Sequence, residues 1–162
     1  MLRVILVSMF SVCFLLTATA QKGVDGEKKA YPAVFQIGEL PNAFETLSED
    51  YELALLKACD DDVKKAYAQW STMLKAMESH AKVKGYELKG IKMWLKVFWN
   101  KDGSIEHIAF HLKPASKNVD TDTLTRFLQD FMQTYKGSFK AAESFSQYSS
   151  ASFPTLPQLV FD

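Results

Sequence analysis

The chain is poor in the residues that most exported small proteins and most enzymes rely on. Among 162 residues there are two cysteines, Cys13 and Cys59, and three histidines, His80, His107 and His111. Cys13 lies in an apolar N-terminal run, so a chain that sheds that run keeps Cys59 alone, and one thiol cannot close an internal disulfide. There is no excess charge of either sign, with 19 Lys and Arg against 19 Asp and Glu. Nothing is left over to neutralise phosphates, which argues against nucleic acid as a partner. No apolar stretch reaches the ~20 residues that a membrane-spanning helix needs. The signatures of common catalytic sites are missing: there is no GxSxG elbow, no GxxxxGK[ST] phosphate loop, no HExxH and no GxGxxG. Glycine and proline are sparse, at 7 and 5, and no internal repeat or low-complexity tract appears.

What is present starts with an export signal. Arg3 supplies one early positive charge, an apolar run follows from Val4 to Leu16, and Ala18 and Ala20 offer the small residues that a signal peptidase accepts. Residues 1–20 therefore read as a cleaved secretory signal, with an uncleaved anchor as the alternative. Export to the periplasm or the extracellular space follows, without a stable membrane span after cleavage. Phe10-Ser11-Val12 ahead of Cys13 lacks the small residue that lipid attachment requires. The full chain is 48% apolar and 23% charged, the balance of a folded globule. Residues 21–40 read as a flexible or extended leader with a short strand at Val34–Ile37, and 41–162 as a single domain.

Periodicity gives the elements of that domain. Asn42 with Glu45 has capping-box spacing, and Ser48 ahead of Glu49-Asp50 offers a second start, so one or two short helical turns are expected between Pro41 and Ala58. A long helix is expected over Asp61–Val83, capped by Asp60, with Val63, Tyr67, Trp70, Leu74 and Met77 as its apolar stripe and Gly85 as terminator. From Ile91 to Trp99 the period changes to two. Ile91, Met93, Leu95, Val97 and Trp99 alternate with Lys92, Trp94, Lys96 and Phe98, which is a strand with one buried face. Asn100-Lys101-Asp102-Gly103 forms a hairpin turn, and a second strand runs from Ser104 to Leu112 with a bulge near Glu106-His107. A second helix extends from Asp120 or Thr121 to Lys136 with Gly137 at its end, and Phe145–Phe153 returns as a third strand. The fold class is α+β, a three-stranded antiparallel sheet with two helices on one face, in the order α-β-β-α-β.

Chemistry is thin on this frame. His107 and His111 share a strand face, but four residues at about 3.3 Å each separate them by about 13 Å, too far to share one metal unless a bulge intervenes. Asp60-Asp61-Asp62 lacks the alternation and the glycine of a calcium loop and reads as helix capping. Cys59, beside three aspartates, reads as a buried small apolar residue with a raised pKa, and a disulfide to another chain is the alternative. The serines between Ser144 and Ser152 read as the polar side of an edge strand. No catalytic residue, cofactor or metal ligand is assigned. The candidate binding residues are Lys92, Trp94, Lys96 and Phe98, where two aromatics alternate with two lysines on a face turned away from the helices. The competing expectation is that Tyr31–Leu40, or the tail with Leu159, Val160 and Phe161, covers that face.

Between Ile91 and Gly137 the alternating strand, Lys101-Asp102-Gly103, the second strand with Ile105, Ile108 and Phe110, and Val119-Asp120 leading a helix with Phe127 together resemble the C-terminal domain of the TonB energy-transducer family. The resemblance implies two helices on a three-stranded antiparallel sheet, a Gram-negative periplasmic location, and a sheet edge that pairs with a peptide of an outer-membrane receptor. The chain departs from that family in having no retained anchor and no proline-rich spacer, and in carrying Tyr135-Lys136-Gly137-Ser138-Phe139 where an aromatic-basic run and a proline are expected. The fold then carries over and the transducing role does not. The expected function is a non-enzymatic protein- or ligand-binding module of the cell envelope. Its partner would be an envelope protein or peptide, met at the sheet edge or the sheet face. Two alternatives remain at this point, a small exported hydrolase or metal-dependent enzyme using His107 and His111, and a structural subunit of an envelope assembly.

Overall fold

A computed structural model describes residues 31–155. The expected signal, Cys13 and the tail residues Leu159–Phe161 lie outside the described residues. In chain order the elements are β1 (Val34–Gln36), α1 (Pro41–Asp50), α2 (Leu55–Ala58), α3 (Val63–Lys84), β2 (Lys92–Trp99), β3 (Ile105–Leu112), α4 (Thr121–Thr134) and β4 (Phe145–Ser152).

The class is α+β, but the sheet has four strands and is mixed. Its order is β1-β3-β2-β4, with β1 parallel to β3 and the other pairs antiparallel. The expected three-stranded antiparallel sheet is thus enlarged at one edge by β1, the short strand expected at Val34–Ile37, which joins the sheet from the stretch taken for a leader. Val34 pairs with Ile108 and Phe35 with Ala109, and a parallel partner more than 70 positions away leaves no local sequence signal. The β2–β3 ladder runs regularly from Met93 opposite Leu112 to Phe98 opposite His107. It then shifts so that Trp99 faces Ile105, which makes Glu106 the extra residue of the expected bulge.

Helix ends follow from named side chains. Asp62, not Asp60, caps α3, its carboxylate accepting from the Lys65 backbone N–H at 3.0 Å. Asp60 and Asp61 instead hold left-handed backbone at φ near 61° and 60°, turning the chain out of α2, with Lys65 and Lys57 as their ion-pair partners. Val63, expected in the apolar stripe, is 61% exposed because it falls on the first, outward turn. Gly85 ends α3 at φ 67° as expected. Asp120 caps α4, which stops at Thr134, so Gly137 is not its terminator. Gly137 and Gly103 cross at close quarters instead: a methyl group on Gly103 would run into the Phe139 carbonyl, and one on Gly137 into the Gly103 carbonyl. That crossing lets the segment after α4 lie against the β2–β3 turn, where Ala141 donates to the Lys101 carbonyl.

Two cores sit on opposite faces of the sheet. The larger joins Met93, Leu95, Val97 and Trp99 of β2 to Trp70, Met73 and Met77 of α3 and to Leu124, Leu128 and Phe131 of α4. The smaller joins Phe98, Ala109 and Phe35 to Ala43 and Leu47 of α1 and to Tyr51 just beyond it. Helices therefore lie on both faces, not on one, since α1 crosses to the side that was expected to stay open. Phe98 is 0% exposed, so its assignment to a binding face is corrected: it is the centre of the second core, with the Tyr51 ring edge-on at 5.4 Å. Burial of a phenylalanine on this scale predicts that Phe98→Ala lowers stability by about 3–5 kcal/mol in urea unfolding; a loss under about 1 kcal/mol would show α1 to be loosely seated.

Candidate functional site

The outer face of β2 is divided in two. At the Phe98 end, α1 and Tyr51 close it. At the other end Trp94 stays 41% exposed and Tyr148 of β4 48% exposed. Strand register brings the two aromatics together. Trp94 lies between His111 of β3 and Ser150 of β4, and Lys96 lies between Ala109 and Tyr148. The Trp94 and Tyr148 ring centroids are 5.8 Å apart, and the edge of Phe44 on α1 meets Tyr148 at 6.4 Å. Lys113, just past β3, places its ammonium 4.0 Å above the Trp94 ring and donates to the Ser150 hydroxyl at 2.6 Å. Of the four expected binding residues, Lys92, Trp94 and Lys96 thus share the open half, and Phe98 does not. Tyr148, Lys113 and Phe44 join them. Tyr148 and Lys113 became neighbours of Trp94 only through strand pairing, which sequence spacing does not show.

Lys96 is the electrostatic anomaly of this surface. It is partly buried, its Nζ is 5.5 Å from the Phe98 ring, and burial pushes its ammonium below the ordinary lysine range. Among the described residues none of Lys92, Lys96 and Lys113 is in an ion pair, whereas Lys57, Lys65 and Lys84 all are. A charge drawn out of water without a carboxylate beside it costs stability and holds unspent attraction for an anion.

The exposed edge strand adjoins the same patch. In β4 the Ser146 N–H points away from β2 and reaches the Leu53 carbonyl, and the alternation of the antiparallel ladder turns those of Tyr148, Ser150 and Ser152 the same way. No described residue accepts from those three. The serines of this strand divide between roles. Ser146 is buried and donates to the Tyr51 carbonyl, and Ser150 serves Lys113.

The histidines do not converge. His107 faces the Phe98 ring and bonds the Pro32 carbonyl through Nδ1 at 3.0 Å, and His111 is exposed beside Trp94. Glu106, a carboxylate such an enzyme would need, accepts the Tyr51 hydroxyl at 2.6 Å. Burial first, and then this carboxylate, push the Tyr51 phenol far above its usual range. Among the described residues no three His, Cys, Asp or Glu side chains gather as a metal set. Cys59 is buried and free, its thiol pushed up mainly by burial; the Lys65 ammonium opposes this, and Asp60 and Asp62 each add a smaller upward push.

A polar cluster that spacing did not reveal ties the two helices of the main core. His80 of α3 meets Asp130 of α4 through Nε2 at 2.6 Å, and Lys84 reaches the same carboxylate at 2.9 Å. These bonds, Lys84 first and His80 second, hold the Asp130 carboxyl below the usual carboxylate range. Its role is structural, since the His80 ring packs on Phe127 and Phe131.

Comparison with family models, with curated proteins and with solved structures finds no match to this chain.

Two measurements check these electrostatics. Lys96→Met removes, from a partly buried position, an ammonium that pairs with no described carboxylate, so its urea midpoint should rise; a fall would reveal a stabilising partner. Asp130 has its folded pKa lowered, so its contribution is complete above the unfolded value near 3.8 and is lost as pH falls through the lower folded value. Asp130→Asn should therefore destabilise clearly at pH 7 and less at acid pH, as the native carboxyl takes up its proton. An equal loss at both would show that the charge is not what holds α3 to α4.

Proposed function

We propose that the protein is an exported, non-enzymatic binding module of the cell envelope, and that it meets its partner on the open half of the outer sheet face. The observation that carries this reading is the pairing of Trp94 and Tyr148, both close to half exposed, beside the partly buried Lys96 ammonium, which has no ion pair among the described residues. A sheet face with no binding role gains nothing from two large rings in water, and exposed aromatics rimmed by polar groups mark interaction surfaces. Export rests on the charged, apolar and small-residue parts of residues 1–20. The resemblance to the TonB C-terminal domain supports an envelope setting through its hairpin and its second helix. The four-stranded mixed sheet and α1 on the outer face are departures that point to a different contact surface.

The test is a capture from envelope extract with the chain from Gln21 as bait, alongside Trp94→Ala and Val83→Ala. Val83 is 82% exposed on α3, across the molecule from the face, and serves as the control. Wild type and Val83→Ala should retain a partner that Trp94→Ala loses, with Trp94→Ala costing only about 1 kcal/mol of stability. A partner kept by Trp94→Ala, none captured by any bait, or an unfolded Trp94→Ala would contradict the reading.

A further inference from the structure

We infer that the open half of this face takes an acidic, extended polypeptide segment of another protein, with two carboxylates flanking one apolar side chain. The inference rests on the binding reading above and supplies the chemistry of the partner. Charge complementarity sets the sign. Lys92, Lys96 and Lys113 surround Trp94, and none of the three has an acidic partner among the described residues. Their fields add across a face where burial already draws Lys96 away from water. The same three charges oppose a second copy of this chain, which would bring like charges together.

Spacing sets the form. Lys92 and Lys96 sit four residues apart on one strand face, about 13 Å at about 3.3 Å per residue, with Trp94 midway. An extended segment repeats its own side chains at the same interval, so acid, apolar and acid at alternate positions fall on Lys92, Trp94 and Lys96. Shape separates this occupant from a lipid surface. Phe44 of α1 stands against Tyr148, and a helix rises about 10 Å above the sheet it lies on, which makes the open half a ledge beside a wall. A chain can lie in such a ledge, and a flat bilayer cannot press down to it.

The test is fluorescence anisotropy with a labelled eight-residue peptide alternating Glu and Val, against wild type, Lys96→Gln and Trp94→Ala, at low and high salt. Peptides alternating Gln with Val and Lys with Val, phosphatidylglycerol vesicles and the polyuronate alginate are run in parallel. The Glu peptide should bind wild type, weaken as salt rises, and lose at least about tenfold in affinity with Lys96→Gln. The Lys peptide should not bind. Failure of the Glu peptide to bind, or binding indifferent to both substitutions, overturns the inference. Binding of vesicles, of alginate or of the Gln peptide in preference to the Glu peptide, lost with Trp94→Ala, overturns the acidic partner and leaves the face as a binding surface. Indifference of every probe to Trp94→Ala removes support from the face itself.

Discussion

The alternation of β2 governs the molecule. A strand at the centre of a sheet must send every second side chain to each face, and here one set is wholly apolar while the other alternates two aromatics with two lysines. Met93, Leu95, Val97 and Trp99 go to the larger core, which commits α3 and α4 to that side. Trp94 and Phe98 go to the other, where some cover is required. One ten-residue helix provides it, and α1 is too short to reach the whole face. The open half is the remainder of that geometry.

Covering Phe98 and leaving Trp94 have a common mechanical origin. The bulge at Glu106 places a carboxylate where the Tyr51 hydroxyl can reach it, which fixes the end of α1 over Phe98. Pairing of β1 with β3 fixes the other end, because Phe35 enters the same small core. The helix is therefore held at both ends over β1, β3 and the near end of β2. Toward β4 it makes an edge contact, Phe44 with Tyr148. Lys113 then packs its charge on Trp94 from beyond β3, and among the described residues no carboxylate pairs with the lysines of the open half.

Much of this was legible in the residues. The hairpin at Gly103, the bulge, the helix ends at Gly85 and Asp120, and the change from helical to strand period between Gly85 and Ile91 are all local, and local chemistry writes itself into spacing. Three features were not. The parallel pairing of β1 joins a three-residue strand to a distant one, too short to show alternation. The crossing of α1 to the outer face turns on which side of the sheet a connection passes, and that choice decided the fate of Phe98. Tyr148 and Lys113 reach Trp94 through register across three strands. For the candidate face, then, the sequence marked Lys92, Trp94 and Lys96 through their alternation but could not tell that Phe98, two residues on in the same pattern, would be sealed.

The claim that the outer face is half sealed and half open is tested most directly by hydroxyl-radical footprinting of the isolated protein, read by mass spectrometry at single residues. Trp94 and Tyr148 should be oxidised rapidly, while Phe98 and Phe35, in the same sheet face, stay protected until the protein unfolds. Equal protection of Trp94 and Phe98 in the native chain would mean that the whole face is core, and the binding surface argued from it would not exist.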